Sequence, residues 1–222
     1  SEMCIRDSDR AATRIGRMAC GVEAAADIRL SYRWSLSFAA SAGRYKFIRN
    51  PRITVISDVD NSVVDARAVS HLRGCTSGGA PQLTACAELG YFGPKGWGFK
   101  TSAGYAGARY VEPSLLRRTE RIARQGGTTR EMFDAFTRQQ RLGDAFTLDA
   151  ALFKTFWFDR SRLTASLILR NLLGDGDIVY SAYESQRVRR IRSGDTLCYA
   201  PHATRLTYAY PRSFYLTVSY RF

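Results

Sequence analysis

The last nine residues of the chain alternate strictly between apolar and polar side chains. The apolar positions of this segment are Phe214, Leu216, Val218, Tyr220 and Phe222. Because successive side chains of a β-strand point to opposite faces, the pattern predicts a strand with one face suited to lipid and the other to water. The last strand of a transmembrane barrel has this pattern, and it can end a chain because it pairs with the first strand and leaves no free edge. The last strand of a soluble antiparallel sandwich alternates as well and is the alternative at this point.

Two further pairs of segments alternate in the same way and predict hairpins. The predicted strands are residues 83–92, 97–110, 145–158 and 163–172. Short turns at 93–96 and 159–162 join them. The polar positions hold mostly Ser, Thr, Gly and Ala, whereas the solvent face of a soluble sandwich is usually dense in charge. We therefore expect the polar face to line a plugged lumen.

Aromatic side chains concentrate beside these short turns. They are Tyr91, Phe92, Trp97, Phe99, Phe156, Trp157 and Phe158. Aromatic girdles mark the membrane interfaces of barrels, although core residues of soluble proteins also flank turns. Lys154 lies on the otherwise apolar face, a few residues from a turn, where a lysine can extend its ammonium group to lipid headgroups at low cost.

The connections alternate between short turns and long loops. Residues 111–143 and 174–204 form long connections, and a final strand over residues 206–222 follows. Outer-membrane barrels have short periplasmic turns and long external loops, so the long segments are predicted to be extracellular. Within the first of them, residues 130–142 have helical spacing after Thr128 and Thr129, and predict a short capped helix.

Upstream, the pattern predicts a hairpin of residues 21–30 and 34–47 around a turn at 31–33. The two segments stay in phase across the turn, so one long strand is an alternative. Residues 53–59 and 63–72 also alternate, and predict an external β-ribbon.

Charge and hydropathy narrow the class of protein. The mean hydropathy of −0.25 and the lack of an apolar run of membrane-spanning length exclude a helical membrane protein but permit a barrel. The net charge of +13 does not indicate a nucleic-acid partner, because no recognition module accompanies it. Local arginine clusters are the candidate contacts to an anionic ligand or to lipopolysaccharide, and an arginine-rich genome explains them equally well. These candidates are Arg117, Arg118, Arg187, Arg189 and Arg190.

Five cysteines and two histidines show no metal-ligand spacing, so neither a metal nor another cofactor is predicted. Cys75 and Cys198 fall in predicted loops, where an oxidising compartment allows them to pair. The sequence contains no phosphate-binding glycine loop, no nucleophile elbow and no other catalytic constellation. We therefore expect that the chain is not an enzyme.

The start of the chain differs from the rest. Residues 1–8, SEMCIRDS, show no periodicity and look like translated sequencing-adapter sequence. Residues 1–20 are expected to be non-native or disordered, and residues 21–222 to form one barrel domain. Because the chain lacks an initial Met and a signal peptide, an exported protein of this kind is expected to be a fragment.

Several segments resemble the C-terminal barrel of TonB-dependent outer-membrane receptors. They are the closing strand, residues 170–184 beginning RNLLGDGD, and GAPQ at residues 79–82. PSLLRRTE at residues 113–120 and DAFTLD at residues 144–149 are similar to the Bacteroidota branch of that family. The resemblance covers about residues 21–222.

The resemblance implies an all-β, antiparallel, up-and-down transmembrane β-barrel of twenty-two strands, of which this chain supplies about seven, with long extracellular loops. It implies a location in the outer membrane of a Gram-negative bacterium and the import of a scarce ligand into the periplasm. That ligand is a siderophore, a vitamin, a glycan or a peptide. The plug and the TonB-contacting box of the family belong to a missing N-terminal region.

The implied partners are outer-membrane lipid and lipopolysaccharide, the barrel-assembly machinery through the C-terminal strand, and the TonB complex through the missing N-terminal region. No nucleic acid is expected as a partner. A passive outer-membrane porin or structural barrel, and a soluble β-rich binding domain, are the alternatives. Seven strands cannot close the family barrel, so the isolated chain is expected to aggregate or to need detergent.

Overall fold

The computed structural model describes residues 8–57, 60–120, 128–185, 188–194 and 196–222. This part of the chain is all-β and its sheets are antiparallel, as the alternation predicts. None of its helices combines the length and the apolar character that crossing a bilayer requires. The strands in chain order are β1 (Ser8–Thr13), β2 (Arg17–Arg29), β3 (Trp34–Phe47), β4 (Arg52–Ser57), β5 (Val63–Val69), β6 (Leu83–Phe92), β7 (Trp97–Gly107), β8 (Arg109–Tyr110), β9 (Arg141–Leu142), β10 (Ala145–Trp157), β11 (Arg162–Arg170), β12 (Val179–Tyr183), β13 (Val188–Ser193), β14 (Thr196–Pro201), β15 (Arg205–Tyr208) and β16 (Ser213–Arg221).

The main sheet has seven strands in the order β2, β3, β6, β7, β10, β11, β16. Each strand pairs antiparallel with the strand of this sheet that follows it in sequence order, which is the up-and-down arrangement. Antiparallel order places the three short turns at one end of this sheet and the long connections at the other. Among the described strands, no sheet closes on itself, so β2 and β16 are the edges.

The first short turn is built by local polar contacts. Ser31 Oγ accepts hydrogen bonds from the backbone N–H groups of Arg33 and Trp34, both at 3.2 Å. This turn between β2 and β3 confirms the predicted hairpin, and the alternative of one long strand is wrong. A serine hydroxyl that satisfies two backbone donors stabilises a reversal at that position.

Strand register brings the apolar positions of the seven strands onto one face. One row of paired residues crosses six strands: Trp34, Tyr91, Phe99, Leu152, Leu167 and Leu216. The phases assigned from the sequence therefore agree between neighbouring strands. A slip of one residue in any pairing would have placed polar residues into the row.

The predicted final strand over residues 206–222 is divided in the structure. Its first part is β15, which pairs with β12, and its second part is β16, which pairs with β11. Pro211 lies between them and lacks the N–H group that a continuous ladder requires. The predicted single strand is therefore corrected to two.

Segments outside the main sheet form smaller elements. The predicted ribbon is present as β4 paired with β5, and β1 adds a third strand against β4. Residues 8–13 and 17–20 thus lie in strands rather than in a disordered start, whereas the non-native origin of residues 1–20 stays a prediction. The predicted helix is α1 (Arg130–Thr137), and Thr129 Oγ1 caps it by accepting a hydrogen bond from the N–H of Met132.

Buried apolar residues concentrate at the end of the sheet that carries the long connections. They are Phe47, Ile53, Val55, Leu72, Val111, Phe136, Leu142, Ala145, Ile178 and Ala182. The main sheet contributes only Phe47 and Ala145, each at the strand terminus next to those connections. In the described residues, the core therefore lies between the loops and not on a face of the main sheet.

Candidate functional site

The long connections pack into one body, which we call the loop layer and define as residues 48–57, 60–82, 108–120, 128–144 and 171–185. Isolated β-bridges join its segments: Ser70 pairs with Thr119, and Glu112 pairs with Tyr183. A third bridge, between Lys46 and Thr76, ties the layer to β3. The loop layer is thus a structured body rather than a set of separate flexible loops.

An ion pair between Arg118 and Glu184 lies at the centre of the loop layer. Both side chains are 2% exposed. Arg118 Nε donates to Glu184 Oε2 at 3.2 Å, and Nη2 of the same guanidinium donates to Oε1. The N–H of Ser114 adds a further hydrogen bond to Glu184 Oε2 at 2.9 Å. A buried charge pair is tolerated when its remaining donors and acceptors are satisfied, as they are here.

Arg118 and the preceding Arg117 also bind the C-terminal end of α1. Arg117 Nε and Nη2 donate to the carbonyl of Phe136 at 2.9 and 2.6 Å, and Arg118 Nη1 donates to the carbonyl of Thr137. The Arg117 guanidinium also lies 4.7 Å from the centroid of the Phe136 ring. The last carbonyls of a helix have no partner within it and carry partial negative charge, so two cations stabilise this terminus. Burial lowers the pKa of Arg117, and the charge of Glu184 partly opposes that shift.

Cys75 lies beside this ion pair as a free thiol. Its Sγ accepts a hydrogen bond from Arg118 Nη1 at 3.4 Å. Burial raises the pKa of the Cys75 thiol, while the positive charge of Arg118 acts in the opposite direction. Of the two cysteines predicted to be able to pair, only Cys75 has a described side chain.

The predicted ligand contacts are therefore only partly located. Arg117 and Arg118 are 8% and 2% exposed, which corrects the expectation that they reach an external ligand. Charge along the sequence cannot distinguish a solvated arginine from one that holds neighbouring loops together. Arg187 lies outside the described residues. Arg189 and Arg190 lie in β13, and only their backbone is described.

Three residues of this network were not found from the sequence. Glu184 is 66 positions from Arg118, and no pattern along the chain links the two. Gln139 bridges two segments, since its Nε2 donates to the carbonyl of Val111 at 2.8 Å and its Oε1 accepts from the N–H of Thr76 at 2.8 Å. Glu112 accepts a hydrogen bond from the N–H of Gly78.

Asn171, in the RNLLGDGD segment, ends β11 and ties it to the chain before β16. Its backbone adopts a left-handed conformation with φ of 51°. Its side-chain Nδ2 donates to the carbonyls of Asp175 and Tyr210 at 2.9 and 3.2 Å, and its N–H donates to Asp149 Oδ1 at 2.8 Å. Asparagine tolerates this conformation better than most residues, which suits it to a tight reversal.

The apolar face of the main sheet carries large side chains that remain exposed. On the C-terminal strand they are Phe214, Leu216, Val218, Tyr220 and Phe222. Phe214 is 73% exposed and Leu216 is 70% exposed. Within the described residues, no second β-layer covers this face. An uncovered apolar area that spans several strands marks a surface that contacts lipid or another molecule.

The short-turn end of this face carries an aromatic cluster. The rings of Trp34 and Tyr91 have centroids 4.8 Å apart, and Phe99 lies 5.6 Å from each of them. Beside them, Lys154 Nζ lies 4.8 Å from the ring centroid of Trp97 and donates to the carbonyl of Lys95 in the turn. The ammonium group therefore points away from the centre of the apolar face, as the position of Lys154 near a turn predicts.

Two ion pairs cross neighbouring strands on the opposite face of the main sheet. Lys100 Nζ lies 2.7 Å from Glu88 Oε1, and Arg170 Nη1 lies 3.5 Å from Asp149 Oδ2. Small residues surround them, among them Ser37, Ser102 and Gly104. The two faces thus differ in chemistry along the whole sheet.

No protein-family model and no curated protein sequence matches the chain.

Proposed function

We propose that the chain is the C-terminal part of a transmembrane β-barrel in the outer membrane of a Gram-negative bacterium. The single observation that carries this proposal is the apolar face of the main sheet, which is continuous in register across seven strands and which no described residue outside the sheet covers as a second β-layer. In water such a face would cost about 25 cal/mol for each Å² that stays exposed. Contact with acyl chains removes that cost.

The proposal extends to a receptor of the TonB-dependent class that imports a scarce ligand. The support is the asymmetry of the two ends, with short turns at one end and a packed loop layer at the other. A loop layer held by buried hydrogen bonds can present a defined external surface, as ligand selection requires. The paired charges of the opposite face suit a lumen that contains a folded domain.

Tryptophan fluorescence in detergent micelles tests the orientation of the sheet. Trp34 and Trp97 lie on the apolar face, whereas Trp157 lies on the opposite face. Brominated alkyl chains quench only the tryptophans that they touch. We expect stronger quenching in W157F, which retains Trp34 and Trp97, than in W34F/W97F, which retains Trp157. Equal quenching in the two variants would refute the assigned faces.

The coding sequence upstream tests the receptor class separately. A plug domain directly before this segment is expected for a TonB-dependent receptor. Its absence, together with a complete barrel, would favour a passive porin.

A further inference from the structure

Two basic residues lie on the apolar face of β3, at the end of the strand next to the loop layer. Leu36, Phe38, Ala40 and Ala42 are followed on the same face by Arg44 and Lys46, which pair in register with Cys20 and Met18 of β2. Arg44 is exposed and Lys46 is partly exposed. Among the described residues, no carboxylate lies within ion-pair distance of either side chain. By contrast, Arg17 on the other face of β2 lies 3.8 Å from Glu112.

The position of this basic pair matches one boundary of a bilayer. Trp34 marks the aromatic end of β3, and Arg44 lies about ten residues further along the strand. At about 3.3 Å for each residue and a strand tilt of about 40°, that separation corresponds to about 25 Å along the membrane normal. This is the height of the apolar band of an outer-membrane barrel.

A second strand gives the same spacing independently. On β10, Lys154 beside the short turn and Asp144 just before the strand are again about ten residues apart. Asp144 Oδ2 accepts a hydrogen bond from Tyr105 Oη at 2.6 Å, and Arg141 lies 3.6 Å from Asp144 Oδ1. On this strand the loop-layer boundary thus carries a neutralised carboxylate. On β3 it carries two cations that have no carboxylate partner in the described part of the chain.

We propose that Arg44 and Lys46 bind the phosphate headgroup of an anionic lipid, whose acyl chains lie along the apolar face of β2 and β3. The apolar residues of β2 and β3 between this basic pair and the short turn can contact the acyl chains. The two positive charges can bind the negatively charged phosphate. The alanines at positions 24, 26, 40 and 42 leave room for acyl chains close to the backbone. This inference rests on the membrane-spanning function proposed above.

The experiment measures bound lipid A, the phosphorylated membrane anchor of lipopolysaccharide, by native mass spectrometry of the full chain in detergent micelles, because the loop-layer end of the sheet is assigned to the outer leaflet. A charge near a lipid surface contributes about a fivefold change in affinity, so R44Q/K46Q is expected to bind the lipid about 25-fold more weakly than the unaltered chain. The control K100Q/R170Q removes the same net charge from the opposite face and is expected to bind normally. Phosphatidylcholine and inorganic phosphate are the comparison ligands, and both are expected to bind weakly.

Three results would overturn the inference. Equal losses in both double variants would indicate attraction by net charge alone. Binding of inorganic phosphate as tight as that of the lipid would show that the acyl chains contribute nothing. Unchanged lipid binding in R44Q/K46Q would show that Arg44 and Lys46 do not form the binding site. The failure of the proposed function is distinguishable, because brominated detergent would then quench W157F no more strongly than W34F/W97F.

Discussion

Arg118 and Glu184 form an ion pair that is almost completely buried between loops 66 residues apart in the chain. The pair joins Glu184, the residue directly after β12, to the segment whose two arginines donate hydrogen bonds to the C-terminal carbonyls of α1. Since both charges are removed from water, each depends on the other for compensation. The architecture of the loop layer depends on this contact more than on any surface charge.

Removing one member of the pair should therefore be costly. E184Q leaves the Arg118 guanidinium buried without a counter-charge, and we expect a loss of about 3–5 kcal/mol in the free energy of unfolding of the loop layer. Hydrogen exchange of the amides of residues 108–120 in micelles measures this loss. The matched control is R170Q, which breaks a half-exposed pair and should cost less than about 1 kcal/mol. Similar protection in both variants would contradict the structural role of Glu184.

The two faces of β11 should differ in their tolerance of charge. L167D places a carboxylate in the row with Leu152 and Leu216, whereas S166D places it on the polar face. We expect L167D to weaken insertion by on the order of 2 kcal/mol and S166D to have little effect. Partition of each variant between micelles and the aggregated pellet measures the difference. Equal partition would show that the faces are wrongly assigned.

A glycine in the loop layer allows two segments to approach closely. A Cβ added at Gly78 would lie 2.3 Å from the backbone N of Glu112, whereas a Cβ at the neighbouring Gly79 would meet no atom within 4 Å. We expect G78A to destabilise the loop layer by about 1–3 kcal/mol, because a backbone segment must move, and G79A to be neutral. Limited proteolysis of the two variants compares them directly. Faster cleavage of G79A, or equal rates, would contradict the packing.

The thiol of Cys75 should react slowly with alkylating reagents. Its pKa is raised by burial, so less reactive thiolate is present near neutral pH than for an ordinary cysteine. In a background without Cys4 and Cys198, we expect alkylation of Cys75 at pH 8 to be slower than that of exposed Cys86, and to accelerate as the pH rises towards the raised pKa of Cys75. Mass spectrometry of the labelled peptides gives both rates. E184Q should increase the alkylation rate of Cys75, because loss of the ion pair makes the thiol more accessible. An unchanged rate would show that the ion pair does not limit access to Cys75.

Sequence alternation was sufficient to predict most of the main sheet. The strand at residues 83–92 was placed with its observed bounds, and the turns after β2, β6 and β10 were predicted, because a period of two residues is visible without tertiary contacts. The division of β15 from β16 was missed, although Pro211 was a local signal for it. The roles of Arg117 and Arg118 were not predictable in the same way, since their partners lie far along the chain.

The amino-acid sequence by itself determined the two chemistries of the sheet, its meander order and the asymmetry between short turns and long loops, because each depends on side-chain period and local turn residues. Only the tertiary structure decided that the long loops share a core, that two predicted ligand arginines are buried against a helix end, and that Arg44 and Lys46 have no carboxylate partner among the described residues. These facts depend on which distant segments meet in space. Whether a charged side chain is buried depends on the contacts between distant segments and not on its position along the sequence.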